Sequence, residues 1–178
     1  KKIKKNRKHI KIFGKGYLDP IKIKISGDPS SAAFFTALTI LNYGSSLKIK
    51  NVGLNSRRIG FYNLLKKHGA KIKFKNIKKN NQETVGDILI YNSQLRPIKA
   101  DSSYYVSSTD EYPILFVIAA LTPGISTFKG IEDLANKESN RIQEMKNVLR
   151  QIGVKCKSNK YEMKIYGKKN ISLNNKII

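Results

Sequence analysis

Gly27-Asp28-Pro29-Ser30-Ser31-Ala32-Ala33-Phe34 opens the stretch that decides the fold, because the hydrophobic period changes twice before Lys50. Residues 30–42 carry Ala33, Phe34, Ala37, Leu38 and Leu41 at helical spacing, which predicts a helix stopping at the Tyr43-Gly44 turn. Leu47-Lys48-Ile49-Lys50 then alternates and predicts a strand. Upstream, Ile21-Lys22-Ile23-Lys24-Ile25 alternates in the same way, with one face expected buried and one solvated. A shorter strand is expected at residues 9–13, before the turn at Gly14 and Gly16. Downstream, residues 59–68 predict a helix with Ile59, Leu64 and Leu65 inward, ended by Gly69. Strands at 71–75 and 87–91 follow, with a polar stretch at 76–84 between them. The order is strand, helix, strand, helix, strand, strand.

The second half repeats that order. Helices are expected at 111–121 and 140–152, and strands at 126–129, 154–157 and 161–166. Asp28 matches Asp110 at an offset of 82, Ser56 matches Ser139 at 83, and Gly69 matches Gly153 at 84. Offsets so long, drifting by two, point to two copies of a βαβαββ unit rather than a solenoid. The first copy covers residues 1–92 and the second, incomplete, covers 107–178, with a linker at 93–106 that contains Pro97. The chain begins in mid-pattern and without methionine, and is read as a segment of a longer protein.

Composition narrows the function. Hydrophobic residues make up 40% of 178, enough for a packed core. No apolar run reaches the roughly 18 to 20 residues of a membrane helix, so no membrane partner is expected. One cysteine, Cys156, and two histidines, His9 and His68, allow neither an internal disulfide nor a histidine–cysteine metal cluster. A reducing, cytoplasmic setting without a metal fits this best. The net charge is +23, yet only six of the 35 basic residues are arginines. Many lysines alternate with isoleucine, as solvated strand faces do, so a nucleic-acid partner is the weaker reading. A basic field would still draw phosphorylated small molecules toward an enzyme.

Two constellations can carry chemistry. Thr109-Asp110-Glu111-Tyr112-Pro113 precedes the most apolar helix, and alone it reads as a helix cap. Lys137-Glu138-Ser139-Asn140-Arg141 stands where a loop enters a helix. Lys137 and Arg141 there oppose the positive end of the helix dipole, a poor arrangement for stability alone. Two cations beside free amide hydrogens are instead suited to a carboxylate or phosphate, and Glu138 between them could move a proton. Ser30 and Ser31 read as capping residues.

Gly27-Asp28-Pro29-Ser30-Ser31-Ala32-Ala33-Phe34, Asn51-Val52-Gly53-Leu54-Asn55, Asp110-Glu111-Tyr112-Pro113 and Lys137-Glu138-Ser139-Asn140-Arg141 stand in an order that resembles the enolpyruvyl transferases of the shikimate pathway. The resemblance implies an α/β fold: two βαβαββ units of an inside-out α/β barrel, one from each of two domains. It covers the middle of the family's length, so a partial active site is implied, inactive or nearly so alone. By the resemblance, Asp110 accepts a proton from the 5-hydroxyl of shikimate 3-phosphate, and Lys137 contacts that substrate and shares in proton transfer. Glu138 protonates the methylene carbon of phosphoenolpyruvate, and Arg141 binds phosphoenolpyruvate. No cofactor is implied, and the full-length protein is expected to be monomeric. The related transferase acting on a UDP-sugar fits the Asp-Glu-Tyr-Pro and Lys-Glu-Ser-Asn-Arg segments less well. Asn140 replaces the family's usual aspartate, Asp133 falls where some members have asparagine, and Tyr112 stands where a small aliphatic residue is common.

Overall fold

The structure is a computed structural model and describes residues 3–5, 9–14, 16–17, 20, 22–80, 82–137 and 139–171. A hairpin of β1 (Ile3–Lys5) and β2 (Ile10–Ile12) comes first. The first unit then runs through α1 (Pro29–Leu41), β3 (Ser46–Gly53), α2 (Gly60–Lys67), β4 (Lys71–Asn80) and β5 (Glu83–Tyr91). Its opening strand is reduced to one parallel bridge, Gly27 to Val52. β5 lies between β3 and β4 and is antiparallel to both.

The second unit starts with β6 (Lys99–Ala100) and continues into a helical run. This run comprises a 3-10 turn (Ser102–Tyr104), α3 (Tyr105–Ser108), a second 3-10 turn (Thr109–Glu111) and α4 (Tyr112–Ala120). β7 (Gly124–Lys129), a 3-10 turn (Glu132–Asn136), α5 (Arg141–Gln151), β8 (Cys156–Ser158) and β9 (Glu162–Gly167) complete it. Its sheet order is β6-β7-β9-β8, with β6 parallel to β7 and the other pairs antiparallel. With the Gly27 bridge standing for the lost strand, the first sheet has the same order and sense. The duplication in sequence is thus a duplication in topology. Gly69 and Gly153, matched in the repeat, both follow a helix at positive φ, +107° and +71°, where a Cβ would be strained.

Several expectations change. Ile23 and Ile25 belong to no strand and are 56% and 83% exposed; among the described residues, 22–26 join no ladder before the Gly27 bridge. Ile21 lies outside the described residues. β4 and β5 run past the expected ends at 75 and 87 into the polar stretch and pair there as a hairpin. Residues 93–106 are packed structure holding β6, the strand that periodicity was too short to reveal. α1 buries Ala32, Ala33, Thr36, Ala37 and Ile40 and leaves Phe34 and Leu38 about 60% exposed, so its inward face is rotated from the expected one. A helix apolar on every side offers the period no contrast to read.

The two units share one core. Ile40, Leu64 and Ile88 of the first and Leu115, Phe116 and Ile165 of the second join a single buried cluster. α1 packs against α4 and α2 against α3. Tyr112, fully buried, anchors the second unit. Its ring meets Phe116 and Phe128 edge-on at centroid distances of 5.9 and 6.0 Å, and Tyr105 at 5.4 Å.

Asp87 braces the first sheet from its central strand. β3 and β4 each carry a register irregularity beside it, with Asn51 at φ 54° and Asn76 at φ 51°. The Asn51 amide donates to Asp87 Oδ1 at 3.1 Å, and Asn76 Nδ2 donates to Oδ2 at 2.8 Å. Lys48 Nζ lies 3.0 Å from the same oxygen. One carboxylate thereby takes up the Asn51 amide at the β3 irregularity and ties down the Asn76 side chain at the β4 irregularity.

Candidate functional site

Asp110 sits in the 3-10 turn between α3 and α4. Ser108 and Thr109 hydroxyls turn back to the carbonyls of Tyr104 and Tyr105, at 2.5 and 2.7 Å, and help hold this tight helical run. Glu111 and Tyr112 beside it are buried, whereas the Asp110 side chain is 60% exposed. The capping role expected for Asp110 is not realised. Glu111 occupies the cap position of α4, without a side-chain cap bond, because the turn before it already continues the helical path.

Lys137 ends the 3-10 turn of residues 132–136 in an extended conformation, exposed to solvent. Asn140 caps α5, its Oδ1 accepting the Gln143 amide at 3.1 Å. The replacement of aspartate by asparagine therefore leaves a working cap. Arg141, the first residue of α5, brings Nη1 to 3.7 Å from Asp110 Oδ1. Glu138 lies outside the described residues. Asp110 and Lys137 line one cavity of about 220 Å³, together with Glu111 and Arg58. Two segments far apart in sequence thus meet there, and the Asp110–Arg141 pair links the helix start to it.

Arg58 was not anticipated. It precedes α2 in the first unit, and its Nη2 lies 3.1 Å from Asp28 Oδ1 and donates to Ser30 Oγ at 3.1 Å. The visible signal was an Arg57-Arg58 pair ahead of a helix in a chain with few arginines. Asp28 caps α1, accepting the Ser31 amide and hydroxyl, each at 2.9 Å. Ser31 thereby supports the cap, and Ser30 serves Arg58. Burial acts to raise the Asp28 carboxyl, but the Ser31 and Ser30 hydrogen bonds and Arg58 outweigh it and hold it below the usual range.

Glu111 is 4% exposed. Burial, helped by the neighbouring Asp110 charge, pushes its carboxyl above the usual range against the opposing pull of Ser30 and Arg58. The site therefore holds an exposed carboxylate, a buried carboxyl and three cations: Lys137, Arg141 and Arg58.

A model of the family described as EPSP synthase (3-phosphoshikimate 1-carboxyvinyltransferase) matches residues 1–176. A 3-phosphoshikimate 1-carboxyvinyltransferase of Zymomonas mobilis is 41% identical over 145 residues, covering 82% of this chain and 32% of the relative. One from Sphingopyxis alaskensis is 37% identical over 160 residues, covering 90% and 36%. The chain thus spans about a third of the length of these curated relatives. The solved EPSP synthase of Acinetobacter baumannii superposes with a TM-score of 0.85 at 32% identity, over 96% of this chain and 38% of that one. With sequence, fold and repeat topology in agreement, this chain belongs to the EPSP synthase family.

Proposed function

We propose that the protein of which this chain is part transfers the enolpyruvyl group of phosphoenolpyruvate to the 5-hydroxyl of shikimate 3-phosphate, releasing phosphate. The chain carries one part of that site. The observation that supports this is the meeting of Asp110 and Lys137 on one cavity, with Arg141 at 3.7 Å from Asp110.

In this reading the Asp110 carboxylate takes the proton of the attacking hydroxyl as its oxygen bonds to C2 of the enol. Glu138 delivers a proton to the methylene carbon, which completes a tetrahedral intermediate. A proton then leaves the new methyl group as the bond from C2 to the phosphate oxygen breaks, restoring the double bond in the product. Arg141 holds phosphoenolpyruvate, and Lys137 contacts the shikimate partner and assists proton movement. Acid, base and anion clamps suffice for this chemistry, with neither metal nor organic cofactor. The full-length protein acts as a monomer in the cytoplasm on these two small phosphorylated substrates.

The test is Asp110→Asn in the full-length protein, with phosphate release as the readout. The expected loss is roughly 10²- to 10⁴-fold, as for removal of a general base. Turnover equal to that of the unaltered protein would overturn the reading.

A further inference from the structure

We propose that Arg58 is a further anion-binding residue of this site, supplied by the first unit to substrates whose reacting groups face the second. The inference rests on the enolpyruvyl-transfer reading. Its geometry is separate from the groups that reading uses. Arg58 comes from the loop before α2, on the opposite repeat from Asp110, Lys137 and Arg141, yet it lines the same cavity as Asp110, Glu111 and Lys137.

Three features fit Arg58 for this role. First, its anchoring is one-sided. Both of its hydrogen bonds, to Asp28 and Ser30, fall on Nη2, so among the described residues Nε and Nη1 keep their donors. A guanidinium anchored at Nη2 keeps separate, diverging N–H donors on Nη1 and Nε at low entropic cost, each able to make a charge-assisted bond to a phosphate or carboxylate oxygen. Second, the backbone that carries it is held against the site. Gly60, two residues on, stands so close to Ser107 that a Cβ would approach the Ser107 carbonyl oxygen to 2.8 Å. Ser107 itself lines the cavity, so the loop cannot withdraw from it without unpacking α2 from α3. Third, stability gives little reason for the residue. The Asp28–Arg58 pair is 47% and 53% exposed, and such pairs contribute little, while Asp28 already caps α1 through Ser31.

The ligand class is an oxyanion of the bound substrates: a phosphate, which both substrates carry, or the carboxylate of either. Steady-state kinetics on full-length Arg58→Gln and Arg58→Lys, with each substrate varied separately, separates these sources. Arg58→Gln is expected to raise the KM for one substrate by about tenfold or more, with a smaller change in kcat. Arg58→Lys, which keeps the charge and loses the fixed planar donors, is expected to fall between. An increase confined to phosphoenolpyruvate would assign the residue to its phosphate or carboxylate, and one confined to shikimate 3-phosphate would assign it to the other partner. Protection against thermal unfolding by inorganic phosphate, weaker in both variants, would point to phosphate rather than carboxylate.

Unchanged KM values for both substrates in a folded Arg58→Lys or Arg58→Gln protein would overturn the proposal. So would a lowered melting temperature with KM values intact, since that is the signature of a purely structural residue. Asp110→Asn, run alongside, separates the two readings. If it abolishes phosphate release while the Arg58 variants leave KM alone, only the Arg58 inference fails. If it leaves release intact, the underlying function fails instead.

Discussion

His68 Nε2 accepts the backbone amide of Lys99 at 3.0 Å, joining the end of α2 in the first unit to β6, the strand that opens the second. The other ring nitrogen, Nδ1, donates to the Leu64 carbonyl at 2.8 Å, which selects the tautomer with its proton on Nδ1. His68 is 7% exposed, and its contact to Leu64 is buried while that to Lys99 is partly so. His68→Leu should therefore destabilise the protein by about 1–3 kcal/mol, chiefly by leaving the Lys99 amide without its acceptor, since the Leu64 carbonyl still accepts the residue 68 amide. Urea unfolding measures this, and a change under about 0.5 kcal/mol would show that the junction does not depend on the imidazole.

Asp87 should make the first sheet sensitive to acid. Hydrogen bonds from Asn76 and the Asn51 amide, with Lys48, bring its carboxyl from an ordinary 3.8 down to about 2. A carboxyl lowered on folding stabilises the folded state above its unfolded value, and that contribution is lost as pH falls through the folded value. The stability of the unaltered protein should thus decline between about pH 4 and pH 2 more steeply than that of Asp87→Asn. Parallel slopes for the two proteins in acid titrations followed by circular dichroism would contradict this.

Arg141 should matter far more for turnover than for stability. Its partner Asp110 is 60% exposed and 3.7 Å away, so the pair contributes at most about 1 kcal/mol to folding. Arg141→Gln is expected to leave the melting temperature within a few degrees while cutting phosphate release by the full-length protein at least about tenfold. Comparable losses of stability and activity would mean that the pair is a structural clasp.

Gly60 sets the approach of the two units beside the site. Gly60→Ala is expected to cost about 1–3 kcal/mol, because the new methyl meets the Ser107 side chain and its carbonyl oxygen. Ser107→Gly should recover part of that loss, a coupling that a double-mutant cycle detects. Simple additivity would show that the contact is relieved elsewhere.

Much of this was legible in the chain itself. Helical spacing located α1, α2, α4 and α5 to within a residue or two but not the short α3, and the offsets between Asp28 and Asp110 and between Gly69 and Gly153 exposed the duplication. Leu64 and Leu65 were identified as core because α2 has charged residues on its other face to contrast with them. The ordered motifs around Asp110 and Lys137 pointed to one family and one chemistry.

What tertiary structure decided were the matters that depend on partners distant in sequence. β6 is too short to show a period and exists because β7 pairs with it, while Ile23 and Ile25 have the period of a strand and pair with none among the described residues. The inward face of α1 was set by packing against β3, β5 and α4, since a helix apolar nearly all round carries no preference of its own. The presence of Arg58 beside Asp110 could not be read from either segment alone. Local pattern specifies which conformation a segment favours, whereas burial and hydrogen-bond completion across the two units decide which face is covered and which charges meet.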